Sequence, residues 1–139
     1  MKQVTKLLIN DFKIKELGYD FMGYSLQRYD SYTFHHLIIS RQYCKKYGLG
    51  KGYWYGNGVI LCGETSHPYL HLIESIEPEL FLFITSEMLD MKVKGFIDKS
   101  NLIAIHQILD YFEYLHLEDK NDKGKYLIKE QFINRNKIS

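Results

Sequence analysis

Four histidines and one asparagine carry the legible chemistry of this chain: the adjacent pair His35-His36, then Asn57-Gly58, then His67 and His71. Imidazole is a good ligand for zinc, nickel and similar ions, and three imidazoles leave one or more positions open for water or substrate. His67 and His71 are four apart, so on a helix they share a face and can grip one ion together. A third ligand has to come from elsewhere, and His35 or His36 on a preceding strand is the natural supplier. The other histidine of that pair is then free to act as a base, since its ordinary pKa lies near neutrality. Neighbours on a regular strand point to opposite faces, so both reach one site only if the strand is irregular or ends there.

The elements that must position these residues can be read around them. Residues 32–39 (YTFHHLII) are rich in β-branched and aromatic side chains and read as a strand. Asn57-Gly58 is a tight-turn signal, and the apolar run 59–62 after it reads as a second strand. Thr65 or Ser66 offers an N-cap for a helix over 67–77, with Pro68 in its first turn and Pro78 ending it. Leu70, Ile73 and Glu77 share a face of that helix, widened by Leu72 and Ile76. The spacing predicts two more helices, over 78–91 and 99–117. The latter has Leu102, Ile105, Leu109 and Phe112 as its seam and Asp98 or Ser100 as its cap. Residues 1–31 read as short strands, or a strand and one short helix, punctuated by Gly18 and Gly23. Residues 123–139 are basic, with a strand at 126–128 and a short terminal helix. The connection 40–56 is long for a compact domain, which marks it as functional or wrongly assigned.

Composition bounds the function. A chain of 139 residues fits one domain, and a net charge of +1 gives no global basic signal, so nucleic-acid contacts have to be local. Arg41, Lys45, Lys46 and Lys51 supply such a stretch, and no Asp or Glu occurs between Ser31 and Gly63. A positive segment beside a metal site favours a polyanionic substrate; a solvated loop is the alternative. Tyr53, Trp54 and Tyr55 could stack on unpaired bases or plug the core beneath the loop. Gly50-Lys51 lacks the spacing and the hydroxyl residue of a nucleotide-binding loop. Glu64 and Glu74 lie near the histidines in sequence and could orient their rings. His106 and His116 have no partner at ligand spacing and read as structural. Cys44 and Cys62 cannot build a disulfide framework, and free thiols point to a reducing compartment. No apolar stretch has the length of a signal peptide or a bilayer span, so the expected location is the cytoplasm, with no membrane partner. Lys125, Lys129 and Arg135 read mainly as an exposed terminus.

With a strand histidine, an asparagine entering the second strand and a histidine on the following helix, the chain resembles the HNH nucleases, the ββα-metal endonucleases. The doubled His35-His36 with His67 and His71 looks most like the subgroup that includes bacterial DNase toxins. Small stand-alone phage and bacterial HNH proteins carry stretches similar to Phe34-His35-His36-Leu37 and Ser66-His67-Pro68-Tyr69-Leu70-His71. The resemblance covers residues 32–77. It implies a ββα-metal core over 32–77, and the chain as a whole reads as a single-domain α+β protein with an extension over 1–31 and packed helices over 78–139. The resemblance also implies His35, His67 and His71 as ligands of one divalent ion (zinc, nickel, manganese or magnesium), His36 as general base, and Asn57 as the brace that holds His36. The implied activity is hydrolysis of DNA phosphodiester bonds, with DNA as partner. Two departures stand out: there are no Cys-x-x-Cys pairs around the site, and the gap from His36 to Asn57 is long. A rival reading is a catalytically silent HNH-fold protein that binds and regulates or inhibits a nucleoprotein partner. A third keeps the ion but makes it structural. That every ligand and base position is filled favours catalysis. Oligomeric state stays open.

Overall fold

In the computed structural model, which describes residues 1–26 and 31–116, two antiparallel strands form the sheet: β1 (Tyr32–His36) and β2 (Gly58–Cys62). Thr33 pairs with Leu61, His35 with Val59 and His36 with Gly58. Side chains alternate across a strand, so Thr33 and His35 share one face, while Phe34 and His36 share the other. All of β2 is buried, which accounts for its unbroken apolar run. Six helices complete the α+β fold among the described residues.

Strand β1 stops at His36, short of the expected residue 39, and Asn57 is the cause. Its Oδ1 accepts from the backbone N–H groups of Ile38 (2.9 Å) and Ile39 (2.8 Å). Its Nδ2 donates to the carbonyls of Ile39 (2.8 Å) and Gly52 (3.0 Å). Those backbone groups are thereby taken out of the ladder, and the chain turns away. Asn57-Gly58 is therefore not a tight hairpin turn. Asn57 closes a 3-10 turn (Tyr55–Asn57), and Gly58, at φ −121°, already belongs to β2. The glycine is needed for space, because a Cβ there would lie 2.1 Å from the Phe34 ring.

The connection 40–56 is not structureless either. It holds α3 (Arg41–Lys46), capped by the Ser40 hydroxyl, which accepts the Tyr43 N–H at 3.0 Å. The N-terminal segment forms two helices where short strands, or a strand and one short helix, were expected. Named in chain order before α3, they are α1 (Gln3–Asp11) and α2 (Ile14–Leu17). Thr5, Leu8 and Ile9 line the buried face of α1, a helical spacing obscured in the sequence by Leu7, which faces solvent.

After β2 come α4 (Ser66–Ile76), α5 (Pro78–Lys94) and α6 (Lys99–His116). The expected hydroxyl cap of α4 does not form. Thr65 sits at the N-cap without a side-chain bond, and Ser66 Oγ turns to Asp20. Asp98 does cap α6, accepting the Ser100 N–H at 3.0 Å. Helix α5 runs past residue 91 and ends at Gly95, whose φ of +86° suits a C-terminal stop. Asn101 staples α5 to α6, donating to Glu87 (3.2 Å) and Asp90 (3.0 Å) and accepting from Lys94 (2.9 Å). One apolar cluster, including Leu8, Phe21, Ile60, Leu70, Ile73 and Phe112, joins sheet and helices. Burying each such side chain contributes about 1.5–3 kcal/mol. No described helix is long and apolar enough to cross a membrane. The strand expected at 126–128, the terminal helix and the basic tail lie outside the described residues.

Candidate metal centre

The site begins with the opening turns of α4, where four-residue spacing brings the rings of His67 and His71 to 4.9 Å between centroids. His35, on the β1 face turned towards α4, meets both, with centroid distances of 5.2 and 5.4 Å. One nitrogen from each of the three rings lies within 4.8 Å of the others. An ion about 2.1 Å from each nitrogen would bring them closer than that limit.

Two observations test whether this donor set suits a cation. His35 is only 2% exposed, and neither of its ring nitrogens has a hydrogen-bond partner among the described residues. A buried polar group without a partner costs about 1–3 kcal/mol, and a cation among these rings removes part of that cost. The second observation is the pinning of tautomers. Thr33 Oγ1 gives its one proton to the Leu61 carbonyl (2.7 Å), so in its 2.8 Å contact with His67 Nδ1 it accepts. His67 therefore carries its proton on Nδ1 and keeps the Nε2 lone pair for a ligand bond. His71 is arranged alike, its Nδ1–H donating to Glu74 Oε1 at 3.1 Å. Of the two glutamates near the histidines in sequence, Glu74 meets a ring and Glu64 is exposed. The residues present fit a divalent ion.

Electrostatics point the same way. Burial, aided by the neighbouring His67, His71 and His36, pushes His35 down to about 3. Burial, with His71 and His36 adding to it, pushes His67 down to about 4. Both rings are neutral at physiological pH, the form that binds metal.

His36 sits on the opposite face of β1, yet it ends the strand and lines the same cavity as the other three histidines. That cavity, about 610 Å³, also takes in Arg41 and Tyr53. The His36 ring packs against Phe34 and Tyr53, each 5.0 Å away between centroids. Its Nε2–H donates to the Lys51 carbonyl at 2.8 Å, which leaves the lone pair on Nδ1. The loop passes this ring too closely for a side chain. At Gly52 (φ +77°) a Cβ would lie 2.9 Å from both His36 Cδ2 and Cys44 Sγ. Asn57, bonded to the Gly52 carbonyl, thus fixes the segment that holds His36. Cys44 is buried beside His36, and neither cysteine belongs to the histidine cluster.

The basic residues divide. Arg41 lines the histidine cavity, while Lys45 and Lys51 line a second one that shares Arg41 and Gln42 with it. Lys46 lines neither cavity and lies 5.5 Å from the centre of the Tyr47 ring. Of the aromatic trio, Tyr53 packs against the site, whereas Trp54 and Tyr55 are exposed. His106 bonds the Met22 carbonyl (2.8 Å) and His116 bonds Glu77 (2.9 Å), both away from the cluster.

Two supporting residues escape a reading of the sequence. Thr33 was detectable, standing two before His35 and so on the same strand face. Asp20 was not. Its fully buried carboxylate accepts from the N–H groups of Met22 (2.9 Å), Tyr24 (3.1 Å) and Cys62 (2.9 Å) and from the Ser66 hydroxyl. Burial pushes its pKa up against the pull of those donors. The only sequence trace is Gly23 three residues later, an ordinary turn signal. Compared with protein-family models, curated proteins and solved structures, the chain gives no match.

Proposed function

We propose that this chain is a metal-dependent HNH-type endonuclease that hydrolyses DNA phosphodiester bonds. In this reading His35, His67 and His71 hold one divalent ion and His36 is the general base. One observation carries it: three imidazoles converge beside a fourth whose Nε2 is tied to a backbone carbonyl. When bound, a divalent ion supplies positive charge to the phosphate under attack. Nitrogen ligands on all three sides favour zinc or nickel over magnesium.

The remaining work falls to the chain itself. His36 accepts a proton from water at Nδ1, and the Lys51 carbonyl keeps that lone pair in a fixed direction. The water oxygen forms its bond to phosphorus as the bond to the departing oxygen breaks. Arg41, on the cavity wall, offers paired N–H donors to the non-bridging oxygens. Asn57 holds the loop that holds His36, so it acts as a positioning residue.

The test is incubation with plasmid DNA and zinc, nickel, manganese or magnesium, with and without chelator, beside a His36→Ala variant. Ion-dependent nicking should fall by roughly 10²–10⁴-fold in the variant while its ion content stays the same. Stoichiometric ion binding without cleavage under any of these conditions would overturn the nuclease reading. A large loss of thermal stability on chelation would then mark the ion as structural.

A further inference from the structure

We infer that the second cavity is a seat for the neighbouring phosphate of the same strand, so that the preferred substrate is a polynucleotide rather than an isolated phosphodiester. This rests on the proposed nuclease reading and specifies the substrate of that site.

The cavity measures about 480 Å³ and is lined by Arg41, Gln42, Lys45, Gly50 and Lys51. Three of those five residues are cations and none is acidic. Among the described residues, none of the three cations has a carboxylate partner. Cations gathered around a concavity without counter-charge repel one another, and a bound anion relieves that repulsion. Arg41 and Lys45 are four apart on α3, so they share its face, and Lys51 closes the cavity from the loop beyond. Lys46, one position on, falls off that face.

Continuity with the histidine cavity identifies the anion. Arg41 and Gln42 belong to both walls, so a group in one cavity is adjacent to a group in the other. A strand with one phosphate beside the histidines carries its next phosphate a few ångströms along the backbone. Gln42, an uncharged donor and acceptor at the junction, can meet the intervening sugar and phosphate oxygens. Lys51 joins the two sites directly, since it lines the second cavity while its carbonyl holds His36.

The experiment is binding of a short fluorescent single-stranded oligodeoxynucleotide across a salt series, with chelator present so that nothing is cut. Lys45→Ala/Lys51→Ala should raise Kd about tenfold and reduce the slope of log K against log salt by about 1.4, as expected for two lost contacts to a single strand. Lys45→Gln alone should give about half that slope change. Lys46→Ala should move the slope by less than either. An unchanged slope in the double variant overturns the inference, and so does an equal effect from Lys46→Ala, which would reveal diffuse attraction instead of a seat. Hydrolysis of bis(p-nitrophenyl) phosphate, which has only one phosphate, reports on the histidine cavity alone. Plasmid cleavage without hydrolysis of this small diester agrees with the inference, whereas the absence of both counts against the nuclease reading and leaves the binding result standing.

Discussion

The Thr33 hydroxyl stands between the Leu61 carbonyl and His67 Nδ1, at 2.7 and 2.8 Å, and so decides which nitrogen of His67 bears the proton. A β-sheet residue thereby fixes the tautomer of a helix residue. Thr33→Val keeps the shape and removes the hydroxyl, freeing His67 to adopt either tautomer. Ion affinity, measured by competition with a chromogenic chelator, should fall about 10–100-fold. Thr33→Ser should keep most of it. Equal affinities in the unaltered protein and the valine variant would remove Thr33 from the site.

His35 contributes to the pH dependence of the ion-free protein. Unfolded, its ring takes a proton near the ordinary value of 6.5; folded, it holds out to about 3. Between those values the unfolded chain binds more protons, so this contribution to stability is complete above about pH 7 and falls as pH drops, by about 1.4 kcal/mol per pH unit. His67, pushed down to about 4, acts in the same direction. Urea midpoints of ion-free protein should therefore rise steadily from pH 4.5 to 7. His35→Leu should flatten that rise, add about 1–2 kcal/mol of stability by removing an unpartnered buried ring, and abolish ion binding. A destabilised leucine variant would mean that His35 is a well-packed core residue and not a ligand held ready.

The i, i+4 pair of His67 and His71 was readable because helical periodicity alone puts both on one face. The meeting of His35 and His36 in one cavity was readable only as a condition, that the strand end there, because alternation along a regular strand argues against it. The resolution lies in Asn57, which captures the backbone of Ile38 and Ile39 and ends β1 at the second histidine. No local pattern reveals that a side chain at residue 57 will bond backbone at residues 38 and 39. Helix α3 was missed for a related reason. Six residues are too few for a periodic signal, and only the Ser40 cap announces it. Without α3 the four loop cations look equivalent. On it, Arg41 and Lys45 share a face and Lys46 leaves it.

Gly52 gives a way to disturb His36 without touching a ligand. With φ at +77° and the His36 ring 2.9 Å from where a Cβ would stand, Gly52→Ala strains the backbone and pushes on the imidazole. The His35, His67 and His71 cluster lies on the other face of β1, and its affinity for an ion should be kept. We expect kcat to fall by about 10–100-fold with KM and ion content little changed. A parallel loss of ion binding would show that the two faces of β1 do not act separately.

Asp20 ties three distant parts of the site together, and its removal should show how α4 is aimed. The carboxylate receives Cys62 N–H at the end of β2 and the Ser66 hydroxyl at the first turn of α4, one residue before His67. It also closes the turn that contains Met22 and Tyr24. Asp20→Ala leaves these buried donors unpaired, at a cost of about 3 kcal/mol or more in urea denaturation. Asp20→Asn keeps one carbonyl oxygen and so retains part of the network, and its loss should be smaller. Because α4 begins at Ser66, both variants should also weaken ion binding, alanine more than asparagine, with ion-saturated protein recovering part of the lost stability. Variants destabilised to this extent with undiminished ion affinity would show that His67 is aimed by the sheet through Thr33 alone.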